Sequence, residues 1–258
     1  MGLNKFLDYG FDDIKLDIEL PKPIIVEHDG FKVVRDDLLD GGTKRRAFNY
    51  YVQWIKQTNP HVKELVYASP REGYAQLSLT YSCMELGLKS TVFVPKGKHN
   101  WLTTESIRLG CNIVEVPMGY LSNIQSKARN HVEQTEGASL VPFGGDHDII
   151  IEGMCRTALS LDIEPPKEVW TVMSSGVLSR GLQMAWPDAK IYGVRIGHNT
   201  TERERGRAET YVSKYKFNQE CKKVERPPFP SSLTYDSKAW TFMKEHASEG
   251  ALFWNVGK

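Results

Sequence analysis

The sequence predicts an α/β protein built on a mostly parallel sheet. From about residue 60 onward, short β-branched or aromatic runs alternate with longer helical stretches, the rhythm of successive βα units. Several runs, ELVYA and STVFVP among them, are apolar almost throughout, which suits strands covered by helices on both faces. The 258 residues suffice for one large domain or two small ones, and 40% hydrophobic with 25% charged residues is ordinary for a globular chain.

In chain order, strands are expected at 31–35, 64–68, 90–94, 112–116, 138–142, 169–173, 191–196 and 251–256. Helices are expected at 43–57, 74–86, 102–109, 121–136, 151–161, 178–185, 208–216 and 237–246. The first helix is entered through Gly41 and Gly42, with Thr43 as its N-cap. Two loops interrupt the rhythm. Residues 199–207 (NTTERERGR) are charge-dense, and residues 224–235 (VERPPFPSSLTY) carry prolines that exclude helix.

Composition removes several function classes. A formal net charge of +1 argues against a general polyanion binder. No apolar run approaches the roughly 20 residues that cross a bilayer. The stretch from Met1 to Asp12 lacks a secretory apolar region, so a cytoplasmic protein is expected. Cys83, Cys111, Cys155 and Cys221 are widely separated and form no metal-ligand or CxxC pattern, so buried structural roles are expected. His147 lies between Asp146 and Asp148 without a supporting second ligand cluster; a polar loop, and no metal, is expected.

Four segments have the residue types that chemistry needs. In VVRDDLLDGGTKRRA, the glycine pair permits a sharp turn, and Lys44 falls in the first helical turn. There the positive end of the helix dipole disfavours its ammonium form and favours the neutral amine used in covalent catalysis. In ASPREGYAQ, the turn from Ser69 to Tyr74 offers N–H groups to an anion; the plainer alternative is a capping box of Ser69 with Glu72. In VMSSGVLSRG, a strand ends in Ser174, Ser175 and Gly176 and opens into a helix, a shape that can cradle a phosphate or merely pack well. In PFGGDHD, Gly144 and Gly145 either admit a ligand or make a plain turn.

Taken in order, these segments resemble the fold-type II pyridoxal-phosphate (PLP) enzymes, the tryptophan synthase β-like group. The similarity is closest to the 1-aminocyclopropane-1-carboxylate deaminase and D-cysteine desulfhydrase branch. RDDLLDGGTKRRA is similar to the region around that family's cofactor lysine, and EVWTVMSSGVLSRGL occupies the place of its phosphate loop. HVKELVYASPREGYAQ and VPFGGDHDIIIEGM lie between these two in register, and TYDSKAW and GALFWNVGK come after them. The resemblance implies two open, mostly parallel sheets flanked by helices. It divides the chain into a larger cofactor-binding domain, 1–67 with 138–258, and a smaller α/β domain, 68–137.

It also implies roles. Lys44 would bond the cofactor, and Ser174, Ser175, Gly176, Val177 and Leu178 would hold its phosphate. Gly144, Gly145 and Asn255 would lie beside it. Ser69, Arg71, Gly73 and Tyr74 would bind substrate, and Tyr235 would face it. The pattern departs from the family in three places: Ser69-Pro70-Arg71 stands for Ser-Gly-Asn, Tyr74-Ala75 for Asn-His, and Val256 for the threonine near the pyridine nitrogen. The implied activity is elimination, deamination or decarboxylation at the Cα of a small-molecule amino acid or amine, in a homodimer. Two alternatives stand beside it: processing of an amine attached to a nucleobase or nucleic acid, prompted by the arginines of 201–207, and a catalytically inactive binding or regulatory module.

Overall fold

The computed structural model describes residues 14–117, 120–197 and 199–258; the Met1 to Asp12 stretch lies outside them. In chain order the first elements are β1 (Ile25–His28), β2 (Phe31–Arg35), α1 (Gly42–Thr58), β3 (Glu64–Ala68), α2 (Ala75–Glu85), β4 (Lys89–Pro95), α3 (Trp101–Arg108) and β5 (Asn112–Val116). Then come α4 (Leu121–Gln134), β6 (Ala138–Leu140), α5 (Asp148–Leu159), β7 (Glu168–Met173), α6 (Val177–Ala185) and β8 (Lys190–Arg195). The chain closes with α7 (Glu202–Arg205), β9 (Glu209–Val212), α8 (Trp240–His246) and β10 (Leu252–Asn255). Among the described residues no helix is long and apolar enough to cross a membrane.

The chain divides into two compact units, Met1–Leu20 with Lys44–Glu152, and Pro21–Thr43 with Gly153–Lys258. In the first, four strands pair in parallel in the order β5-β4-β3-β6. This division departs from the expected domain limits at 67/68 and 137/138, because β3 carries ladders to both β4 and β6. Val66, Ala68 and Phe93 pack against Ile124 and Ala128 of α4. The helix α2 begins at Ala75 without a side-chain cap, so the capping-box alternative for Ser69 is not realised.

In the second unit six strands run in the order β1-β2-β10-β7-β8-β9, all parallel except β1 against β2. Side chains alternate between two apolar layers. Val169, Met173, Leu252 and Trp254 join one core, while Trp170, Val172 and Phe253 join the other. Doubly covered strands explain why β7 is buried at every position.

Three expectations are corrected. The helix predicted at 208–216 is instead strand β9, which pairs with β8, and Tyr211 stacks on Trp170 with ring centroids 5.3 Å apart. A free sheet edge and an aromatic platform decide a segment whose four residues ETYV favour strand anyway. The 199–207 loop contains α7, with Thr201 and Glu204 forming a complete capping box. Its Arg207 donates to the carbonyl of Trp186 at 2.6 Å, so this arginine braces the backbone. Finally, Thr43 lies inside α1 rather than capping it. Its fully buried hydroxyl donates to Asp36 (2.7 Å) and accepts from the Trp254 indole N–H (2.9 Å).

Replacing Thr43 with the isosteric valine therefore deprives a buried carboxylate and a buried indole of one partner each. Chemical denaturation of Thr43→Val is expected to show a loss of about 2 kcal/mol or more. A loss under about 0.5 kcal/mol would contradict the bridging role.

Candidate active site

Lys44 follows the left-handed Gly41-Gly42 turn and points its amine to the carbonyl of Gly144, 2.6 Å away. Burial lowers its pKa from 10.5 to about 8. An ammonium loses more than a neutral amine when water is removed, so the neutral form becomes accessible near physiological pH. The acceptor is itself held in place. Gly144 (φ 71°) and Gly145 (φ 73°) both occupy the left-handed region, and the Gly145 N–H bonds the carbonyl of Pro142 at 2.9 Å.

The N–H of Gly144 donates to the hydroxyl of Tyr67 at 3.2 Å. Tyr67, the fourth residue of β3, is buried, and burial raises its pKa to about 12. One glycine thus joins the lysine amine to a tyrosine far away in sequence. Tyr67 escapes sequence reading because the apolar run ELVYA marks it as core; a hydroxyl inside that run is the only signal.

Ser69 and Gly73 form a tight turn after β3 in the same unit. The Ser69 hydroxyl bonds the carbonyl of Pro70 at 2.9 Å, and a Cβ on Gly73 would come within 2.6 Å of that hydroxyl oxygen. Arg71 turns away to the loop after β4, donating to the carbonyls of Pro95 (3.2 Å), Lys96 (2.8 Å) and Lys98. Tyr74 rests edge-on against Trp101. His147 packs between Tyr51 and Trp54, and burial lowers its pKa. Among the described residues no group of three or more His, Cys, Asp or Glu is placed to hold a metal. All four cysteines are buried and free of disulfides.

In the second unit, Ser174, Ser175 and Gly176 link β7 to α6, with Val177 and Leu178 in the first turn of the helix. Gly176 has φ 70°, and a Cβ there would lie 1.9 Å from the carbonyl oxygen of Glu204. The backbone N–H of Ser174 bonds the hydroxyl of Tyr235, whose pKa is raised by burial and by the neighbouring Asp236. The turn and the tyrosine are in contact.

At the end of β10, Asn255 donates to Asp37 (2.8 Å) and to the carbonyl of Pro230 (2.9 Å), while its own Oδ1 is buried without a partner among the described residues. Asp37 also receives a bidentate pair from Arg35, at 2.7 and 2.8 Å. Nearby Asp236 is 1% exposed, with neither carboxyl oxygen in a well-formed hydrogen bond. Burial pushes its pKa well up, and Asp37 adds to the rise against the N–H groups of Val256 and Gly257. Asp236 was missed in the sequence, where an aspartate between Tyr235 and Ser237 reads as a turn residue.

The residues present suit PLP. A desolvated amine can bond an aldehyde, a small-residue turn opening a helix can take a phosphate, and buried oxygens of Asp236 and Asn255 can accept from a ring N–H. The family model for "Pyridoxal-phosphate dependent enzyme" matches residues 33–243. Among solved structures, an ACC deaminase homologue superposes with a TM-score of 0.83 at 14% identity, covering 100% of this chain and 95% of that one. The threonine deaminase of T.th. gives 0.71 at 17% identity, covering 100% and 98%. Serine racemase from Dictyostelium discoideum gives 0.68 at 16% identity, covering 98% and 96%. No curated protein sequence matches the chain. At these identities the structural likeness is one of fold, and the match of the family model over most of the chain carries the assignment: this protein belongs to the pyridoxal-phosphate dependent enzyme family, in its fold-type II form.

Proposed function

We propose that the protein eliminates or deaminates at the Cα of a small amino acid or related amine. One observation carries this reading: the amine of Lys44 is buried, lowered in pKa to about 8, and held by the Gly144 carbonyl. The deaminases and the racemase named above, amino-acid enzymes by their names, support the choice of substrate class.

When bound, PLP supplies an electron sink conjugated to the substrate Cα. The rest falls to the chain. Lys44 would hold the cofactor, and its neutral amine would move the Cα proton as general base. The turn from Ser174 to Leu178 would hold the phosphate through the N–H groups after Ser174, whose own N–H is engaged by Tyr235. Asp236, a buried carboxyl, would hold the ring nitrogen, with Asn255 in support. Gly144 and Gly145 line the approach to the lysine.

Ser69, Gly73 and Tyr74 orient the substrate carboxylate. Arg71 keeps the 95–98 loop in place, since its guanidinium is engaged by three carbonyls. Tyr235 faces the reacting group; its raised pKa keeps it protonated and able to donate.

Titrating the protein with PLP is expected to produce a visible absorbance band that Lys44→Ala abolishes, and further shifts on adding the substrate amino acid. A band of equal strength in Lys44→Ala would overturn the assignment of the lysine.

The pH dependence follows from the same amine. Attack needs the neutral form, so the rate of cofactor attachment should rise with pH and level off above about 8, not 10.5. The linkage has a definite sign. In the cofactor-free protein the folded pKa lies below the unfolded one, so stability falls as pH drops from 10.5 to about 8 and is level below. Lys44→Met should remove that slope and stabilise the cofactor-free protein at neutral pH by on the order of 2 kcal/mol. Denaturation curves at three pH values measure it; a destabilised Lys44→Met would contradict the argument.

A further inference from the structure

We propose that Arg195 is the counter-charge for the cofactor's phosphate, an inference that rests on the cofactor reading of the turn after β7. Arg195 ends β8 in register with Met173, the residue before Ser174, and the Ile196 N–H bonds the Met173 carbonyl at 2.9 Å. It therefore stands one strand from the turn, at the C-terminal edge of the sheet, where parallel α/β folds bind ligands. Ile191 packs with Met173 and with Leu182 of α6, whereas Tyr192 and Val194 pack on the other face. Strand alternation puts Arg195 on the Met173 and α6 side. Gly193, on that side too, would bring a Cβ within 2.6 Å of the Met173 methyl, so the two strands are closely apposed there.

The Nε of Arg195 is shut off from solvent and has no hydrogen-bond partner among the described residues. The hydroxyl of Thr200, which lies in the following link to α7, is in the same condition. A desolvated guanidinium N–H without an acceptor, one strand from a phosphate-shaped turn, calls for an anion.

The turn also needs help. The Ser174 N–H is engaged by the Tyr235 hydroxyl, and the Cβ side of Gly176 is closed by the Glu204 carbonyl, whose dipole repels an anion. A phosphate ester carries roughly −1.5 to −2 charges near neutral pH, and a helix N-terminus offers only about +0.5. One guanidinium supplies most of the difference.

The test compares PLP with pyridoxal, which has the same aldehyde and ring but no phosphate, by absorbance and tryptophan fluorescence titration. Arg195→Gln should weaken PLP roughly 10- to 100-fold and pyridoxal less than about twofold. Arg195→Lys should recover part of the loss, and the salt dependence of PLP binding should flatten in Arg195→Gln. Equal weakening of both aldehydes, or an unchanged PLP titration, overturns the inference. A wild-type protein that binds neither aldehyde defeats the cofactor reading instead, so the two failures are distinguishable.

Discussion

The amine of one lysine is held out of water, and much of the first unit serves that constraint. The amine of Lys44 meets the carbonyl of Gly144. The carbonyl is aimed by two consecutive left-handed glycines and anchored through the Tyr67 hydroxyl. A side chain at either glycine would strain the backbone, and any loosening of the turn would admit water and return the amine to its ordinary pKa. Reactivity and stability are therefore opposed at this residue. A desolvated amine is a burden to the folded chain.

In each unit the polar groups gather at the C-terminal ends of the parallel strands. In the first, Ser69 follows β3, the loop braced by Arg71 follows β4, and Gly144 follows β6. In the second, Asp37 follows β2, Ser174 follows β7, Arg195 ends β8 and Asn255 ends β10. The opposite strand ends do different work. Glu168, at the start of β7, accepts from the Trp170 indole (2.6 Å) and the Ser248 hydroxyl (2.7 Å), contacts that tie the sheet to its neighbouring chain. Parallel strands present their chemistry at one edge because that is where chain reversals enter helix N-termini.

Much of this was legible in the sequence, and the exceptions have physical causes. Strands β2, β3, β4, β5 and β7 fall where β-branched runs put them, since buried parallel strands need apolar side chains on both faces. Strand β1 was missed because IVEH is short and acquires its identity only from pairing with β2. Strand β9 was mistaken for helix because its partner β8 and its stacking partner Trp170 are remote in sequence. The proposed site divides in the same way. Lys44, Gly144 and the serine-rich turn announce themselves through glycines at strand-to-helix junctions. Tyr67, Asp236 and Arg195 do not, because what distinguishes each is a partner, or the lack of one, that only the fold reveals.

The close approach of Gly176 to Glu204 has an evolutionary corollary. With only 1.9 Å between a hypothetical Cβ and that carbonyl oxygen, the residue at this bend and the course of the α7 backbone are coupled choices. A lineage that replaced the glycine would first have to reroute the segment carrying α7, and one that shortened that segment would free the position for larger residues. Variation in loop length and variation in side chain should therefore travel together among relatives of this protein, as a linked pair of characters.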